Sequence, residues 1–222
     1  MYKPKKYLRI VKNILARRLF VESPYIEEFD RKKCIFIHIP KCAGISIEES
    51  ILDGQKPGHH KLTDYMYYNP CKFYKYFVFT FVRNPITRFE SAFTFLKSGG
   101  RNPVDKQWAE EHLVGFETVD ELVNRMRANT RLRTDVETWQ HFRPQVSYLL
   151  DENGNLPIDY IGRLETIQRD FEEICSRIGI KRQLPHKNKS TKSESEVLSN
   201  KNNISFLREE LYNQDFKMLG YE

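Results

Sequence analysis

The chain has 222 residues, a formal charge of +6, and 40% hydrophobic, 13% aromatic and 30% charged side chains. Its length suits one domain with a sizeable core and argues against two full ones, while the charged fraction describes a solvated surface and excludes a membrane-embedded chain. The positive balance points to anionic partners, among them nucleotides, acidic or sulfated glycans, nucleic acids and acidic membranes, without choosing among them.

Residues 3 to 20 set Leu8, Val11, Leu15 and Leu19 at helical spacing among Lys5, Lys6, Arg9, Lys12, Arg17 and Arg18, which predicts a basic amphipathic helix. Residues 1–30 are therefore taken as a helical extension and 31–222 as the main domain. The apolar stripe either packs on the domain, the commoner arrangement, or makes a peripheral contact with an anionic membrane. No apolar run approaches the ~20 residues of a membrane span and no signal-peptide core is seen, so the expected location is cytoplasmic. Four cysteines, Cys34, Cys42, Cys71 and Cys175, form no CxxC pair and fit a reducing compartment.

Residues 34–39 (CIFIHI) are apolar and β-branched, as a buried strand requires, and stop at Pro40. A helix is predicted from Ser46 to Leu52, ended by Asp53-Gly54. A second strand over 76–82 (YFVFTFV) follows, then Asn84 as N-cap and Pro85 at the first helical position. Ile86, Phe89, Phe93 and Leu96 give that helix one apolar face, and Ser98-Gly99-Gly100 ends it.

Residues 101–145 read as mainly helical. A turn over 151–155 separates two short extended segments, Val146 to Leu150 and Tyr160 to Gly162. A helix over 166–178 stops at Gly179, a polar loop runs from His186 to Asn203, and a last helix covers Ile204 to Leu219.

The chemistry concentrates at the two strand-to-helix loops. In residues 40–46 (PKCAGIS) small side chains let backbone amides approach an anion, Lys41 adds a charge and Ser46 a hydroxyl. The order is not that of a Walker A loop, since the lysine precedes the only glycine by three positions. After the second strand, Arg83 places a guanidinium and Ser91 a hydroxyl where a second phosphate would converge. Two anion sites imply a ligand phosphorylated at both ends.

Residues 37–46 (IHIPKCAGIS) resemble the 5′-phosphosulfate loop of the Golgi-type carbohydrate sulfotransferases and their bacterial relatives, and residues 81–93, from Phe81-Val82-Arg83-Asn84-Pro85 through Arg88 to Ser91-Ala92-Phe93, resemble that family's 3′-phosphate motif. The likeness continues in residues 159–165, 184–190 and 212–221. Two departures stand out, because the family usually has Thr where Cys42 and Ile45 stand.

The resemblance implies an α/β fold of the P-loop-like three-layer kind, a central parallel β-sheet flanked by helices, making 31–222 a sulfotransferase domain. It implies 3′-phosphoadenosine 5′-phosphosulfate (PAPS) as donor, 3′-phosphoadenosine 5′-phosphate (PAP) as product, no metal, and a hydroxyl of a carbohydrate as acceptor, with no nucleic-acid partner. Lys41, Ala43, Gly44, Ile45 and Ser46 would hold the phosphosulfate, Arg83 and Ser91 the 3′-phosphate, and Asn188, Lys189 and Ser190 would close over the donor. Lys41 would also serve catalysis electrostatically, and His59 or His60, with His59 preferred, would be the base.

His38 is expected in the core. His141, with Arg143 and Gln145, would line the acceptor cleft or be structural, and Arg163 would lie near the site or form a strand-end salt bridge. Tyr65 to Tyr68 would help shape the acceptor site. The competing readings are a P-loop-type small-molecule kinase, a nucleic-acid binder, and a non-catalytic nucleotide-binding relative.

Overall fold

The computed structural model describes residues 22–184 and 197–221. The predicted helix at 3–20 and the loop residues Asn188, Lys189 and Ser190 lie outside them. The chain opens with α1 (Glu27–Lys32) and β1 (Cys34–Ile37), followed by α2 (Gly44–Ser50), α3 (Leu62–Tyr68) and α4 (Pro70–Phe73). Strand β2 (Phe77–Val82) leads into α5 (Pro85–Lys97), α6 (Pro103–His112), α7 (Val119–Ala128), α8 (Thr130–Thr138) and the short α9 (Val146–Leu149). Strand β3 (Tyr160–Arg163) precedes α10 (Ile167–Arg177), and α11 (Lys201–Phe206), a π-helical turn (Leu207–Leu211) and α12 (Asn213–Leu219) close the chain.

Among the described residues the three strands form one parallel sheet in the order β1-β2-β3, flanked by helices. Every residue of β1 is buried, as is β2 from Val78 onward, so these strands read as continuous apolar runs because both faces are covered. Gly162 of β3 sits under the Phe81 ring, where a Cβ would come within 2.7 Å, so the β2–β3 register needs glycine there. Parallel strands end at one edge, and the loops after all three strands therefore emerge together.

The core has two parts. One surrounds the sheet and includes Phe36, Phe79, Phe81, Tyr65 and Phe171; the other is helical and includes Phe93, Trp108, Leu122, Phe142 and Tyr212. Each fully buried aromatic or aliphatic side chain contributes about 1.5–3 kcal/mol. Tyr65 is therefore a core residue and does not reach an acceptor surface.

Two elements differ from the sequence expectation. The segment from Val146 is a helical turn instead of a strand, because the Gln145 and Val146 amides both donate to the Asp215 carboxylate at 2.9 Å and Ser147 Oγ donates to the Pro144 carbonyl. Tertiary hydrogen bonds override the β preference of its residues. The last helix is interrupted at the π-helical turn, where the Tyr212 amide reaches back to Leu207. Beyond this turn, Asp215 of α12 faces Gln145.

Candidate active site

The loop between β1 and α2 begins where the β1–β2 ladder ends, at the pair Ile37 and Thr80. Lys41 and Ala43 have φ of 69° and 62°, in the left-handed region, with Cys42 between them at negative φ. Each such non-glycine residue costs about 1 kcal/mol or more, and the alternation turns successive amides toward one side, as in an anion-binding nest. The amides of Lys41, Cys42, Ala43, Gly44 and Ile45 donate to no acceptor among the described residues, while the Ala43 carbonyl receives those of Ser46 and Ile47. Five unused donors on one strained loop are what a bound oxyanion would satisfy.

Packing holds this shape. Arg88 of α5, fully buried, donates from Nε to the Pro40 carbonyl at 3.0 Å and from Nη1 to the Arg143 carbonyl at 2.9 Å. His38 lies over the loop so closely that a Cβ on Gly44 would fall 1.7 Å from its Nε2, which makes glycine a requirement of close approach. His38 Nδ1 is 2.9 Å from Glu48 Oε1, an ion-pair distance without hydrogen-bond alignment, and its ring stacks on Phe36. The buried setting expected for His38 is what the fold provides.

Cys42 does not face the amides. Its thiol points to Gln145 Oε1 at 3.3 Å and to the Pro40 carbonyl, and burial pushes it up to about 11. A threonine hydroxyl at this position would face the same groups, so the departure at Cys42 touches the loop's support. Ile45 and Ser46 lie half-buried at the start of α2.

Arg83 stands at the end of β2, half-buried, with Nε donating to Thr87 Oγ1 at 3.0 Å. Asn84 caps α5 by accepting from the Ile86 and Thr87 amides, and Pro85 takes the first helical position, as the sequence predicts. Thr87 and Ser91 are one turn apart on the face of α5 that Arg83 reaches through Thr87, and the Ser91 hydroxyl bonds to no described residue.

Lys41 is half-buried with Nζ 3.9 Å from the centre of the Phe95 ring. Burial, then Arg83 and Arg101 nearby, lower it to about 8. Burial also lowers Arg83, which stays charged. A buried lysine whose protonation is depressed by neighbouring guanidinium groups describes a site that an anion would stabilise.

His59 Nδ1 is 3.1 Å from the His38 carbonyl, and the two rings lie 4.3 Å apart. A carbonyl only accepts, so Nδ1 carries the proton and Nε2 is left as an acceptor. The residue is exposed overall although atoms crowd its ring, and desolvation followed by neighbouring His38 moves its pKa below the ordinary imidazole range. His60 packs edge-on to Tyr65 and has no such tautomer-fixing partner among the described residues.

Other sequence candidates fall elsewhere. His141 is buried against Asp105, with Nε2 to Oδ1 at 2.9 Å, and packs edge-on to Phe95 behind Lys41. Arg163 forms no ion pair among the described residues; it donates to the Leu219 carbonyl and lies on the Tyr221 ring, anchoring the C-terminal helix. Gln145, expected either to line the cleft or to be structural, is fully buried beneath the loop, bonded to the Arg83 backbone. Its place and that of Arg88 carry no local signal, since both depend on contacts across 48 to 62 residues.

Among the described residues no helix is long and apolar enough to cross a membrane, and no group of His, Cys, Asp and Glu is placed to hold a metal ion. A scan against protein-family models matches residues 28–222 to the model described as the sulfotransferase family. Searches of curated proteins and of solved structures returned no match.

Proposed function

Because this chain belongs to the sulfotransferase family over residues 28–222, we propose that it transfers a sulfuryl group from PAPS to a hydroxyl of a carbohydrate, within a P-loop-like three-layer fold. The observation that supports the donor assignment is the row of unused amides from Lys41 to Ile45, joined to Arg83 through Gln145, which we read as two anion sites at one sheet edge. The carbohydrate acceptor rests on the resemblance of residues 37–46 and 81–93 to the carbohydrate sulfotransferases and fits the chain's positive charge.

The residues present fit this donor. The loop amides and Ser46 would hold the 5′ end, and Arg83 with Ser91 would hold the 3′-phosphate. When bound, PAPS supplies an activated sulfuryl group. His59 Nε2 takes the acceptor's hydroxyl proton as the acceptor oxygen bonds to sulfur and the bond from sulfur to the phosphate oxygen breaks. Lys41 would offset the negative charge that gathers on the departing phosphate oxygen. Titrating the protein with PAP, AMP and ATP tests the assignment: selective binding of PAP is expected, and equal or tighter binding of ATP overturns it in favour of a kinase.

The pH profile follows from the charges. Lys41 is a cation whose pKa is depressed, so it is protonated below about 8 and loses its charge as pH rises through that value. The kcat/KM for PAPS, which reports the free enzyme, falls above about pH 8, and Lys41→Arg removes that limb because guanidinium stays charged. His59 is neutral at pH 7 because its pKa lies below the ordinary value, so no acid limb is expected near about 6.5. In the same assay His59→Ala lowers kcat by about 10²-fold or more while PAP affinity holds; unchanged kcat removes His59 as base.

A further inference from the structure

We propose that Gln145 is a positioning residue for the transfer, clamping the two anion-binding elements at the spacing that a 3′,5′-bisphosphorylated nucleotide requires. The inference rests on the donor reading above and adds a device that selects the donor by its second phosphate.

The sheet cannot set this spacing alone. Backbone pairing of β1 with β2 stops at Ile37 and Thr80, so the loop at Lys41 to Ser46 and the strand end at Arg83 leave the ladder separately. Gln145 bridges the gap. Its Oε1 accepts from the Arg83 amide at 2.9 Å and from Cys42 Sγ at 3.3 Å, and its Nε2 donates to the Arg83 carbonyl at 2.8 Å and to Asp215 Oδ2 at 3.3 Å. The oxygen and nitrogen are assigned by their partners, since an amide N–H needs an acceptor and a carbonyl needs a donor.

One side-chain amide thus satisfies both backbone groups of Arg83, as a neighbouring strand would, and holds the centre of the cradle loop with the same oxygen. Asp215 fixes Gln145 in turn, accepting from its backbone amide and from that of Val146 at 2.9 Å each. Gln145 is fully buried, so these partners have no water to replace it. A 5′-monophosphate engages only the loop and is indifferent to the spacing; a ligand with a second phosphate at Arg83 feels it directly.

The test uses the full chain with Gln145→Met, of similar length but apolar, and Gln145→Glu, of the same shape but without the donor to the Arg83 carbonyl. PAP and AMP affinities are measured by calorimetric titration, and amide exchange at Ser46 and Arg83, the two amides of these elements that are hydrogen-bonded without ligand, is followed in the ligand-free proteins. The expected result is a fall of about tenfold or more in the preference for PAP over AMP, with faster exchange at those amides. General loosening of the fold would weaken both ligands and leave their ratio unchanged.

A folded variant that keeps the wild-type preference and exchange overturns the proposal, and Gln145→Glu decides it if Gln145→Met does not fold. If the wild-type protein itself fails to prefer PAP, the donor reading falls, and exchange at Ser46 and Arg83 decides the clamp.

Discussion

Arg83→Ala is expected to bind PAP about 100-fold more weakly than the wild-type protein while AMP affinity changes by no more than about threefold. The guanidinium is half-buried at the end of β2, and among the described residues its side chain bonds only to Thr87. Little of the fold depends on it. A charge-assisted, two-pronged contact to phosphate contributes about 1.5–3 kcal/mol, and each 1.4 kcal/mol is about tenfold in affinity. Removing Arg83 also relieves its repulsion of Lys41, which raises the Lys41 pKa toward its ordinary value, so the 5′ site keeps its charge. Parallel titrations with PAP and AMP check this; equal losses for both would place Arg83 at the 5′ end instead.

Gly44→Ala is expected to lower Tm by roughly 2–12 °C and PAP affinity by roughly 100-fold, although it removes no ligand-binding side chain. The new methyl would lie 1.7 Å from His38 Nε2 and 2.3 Å from Cδ2. His38 has little room to give, being held between Glu48, the Phe36 ring and His59. Overpacking of this kind costs about 1–3 kcal/mol, and in a chain of this size each kcal/mol lowers Tm by roughly 2–4 °C. If the loop moves instead, the amides leave the nest, and a displacement near 1 Å is enough for a loss of about 10²-fold. Gly154→Ala is the control, since that exposed turn glycine has φ of +79° but no atom within 4 Å of where its methyl would sit. Thermal melts and PAP titrations of both variants decide it; wild-type PAP affinity in Gly44→Ala would mean that His38 yields freely.

The sequence by itself determined the local frame of the site. The apolar runs from Cys34 and Tyr76 become buried parallel strands because both faces are covered, and Asn84-Pro85 starts α5 because an asparagine oxygen can take the first free amides and proline has none to leave unpaired. The composition of residues 40–46 likewise announces a loop of accessible amides, since it is set by side-chain size and lies within one short stretch.

What only the tertiary structure decided are contacts between distant residues. The tautomer of His59 depends on a carbonyl 21 residues away, the need for glycine at 44 on the His38 ring, and the burial of Gln145 on Arg83 and Asp215, 62 and 70 residues distant. Pattern and propensity describe neighbours within a few positions. Hydrogen bonds that cross the sheet edge arise only when the strands are side by side, and they convert Val146 to Leu149 from an extended segment into a helical turn while placing Gln145 beneath the loop.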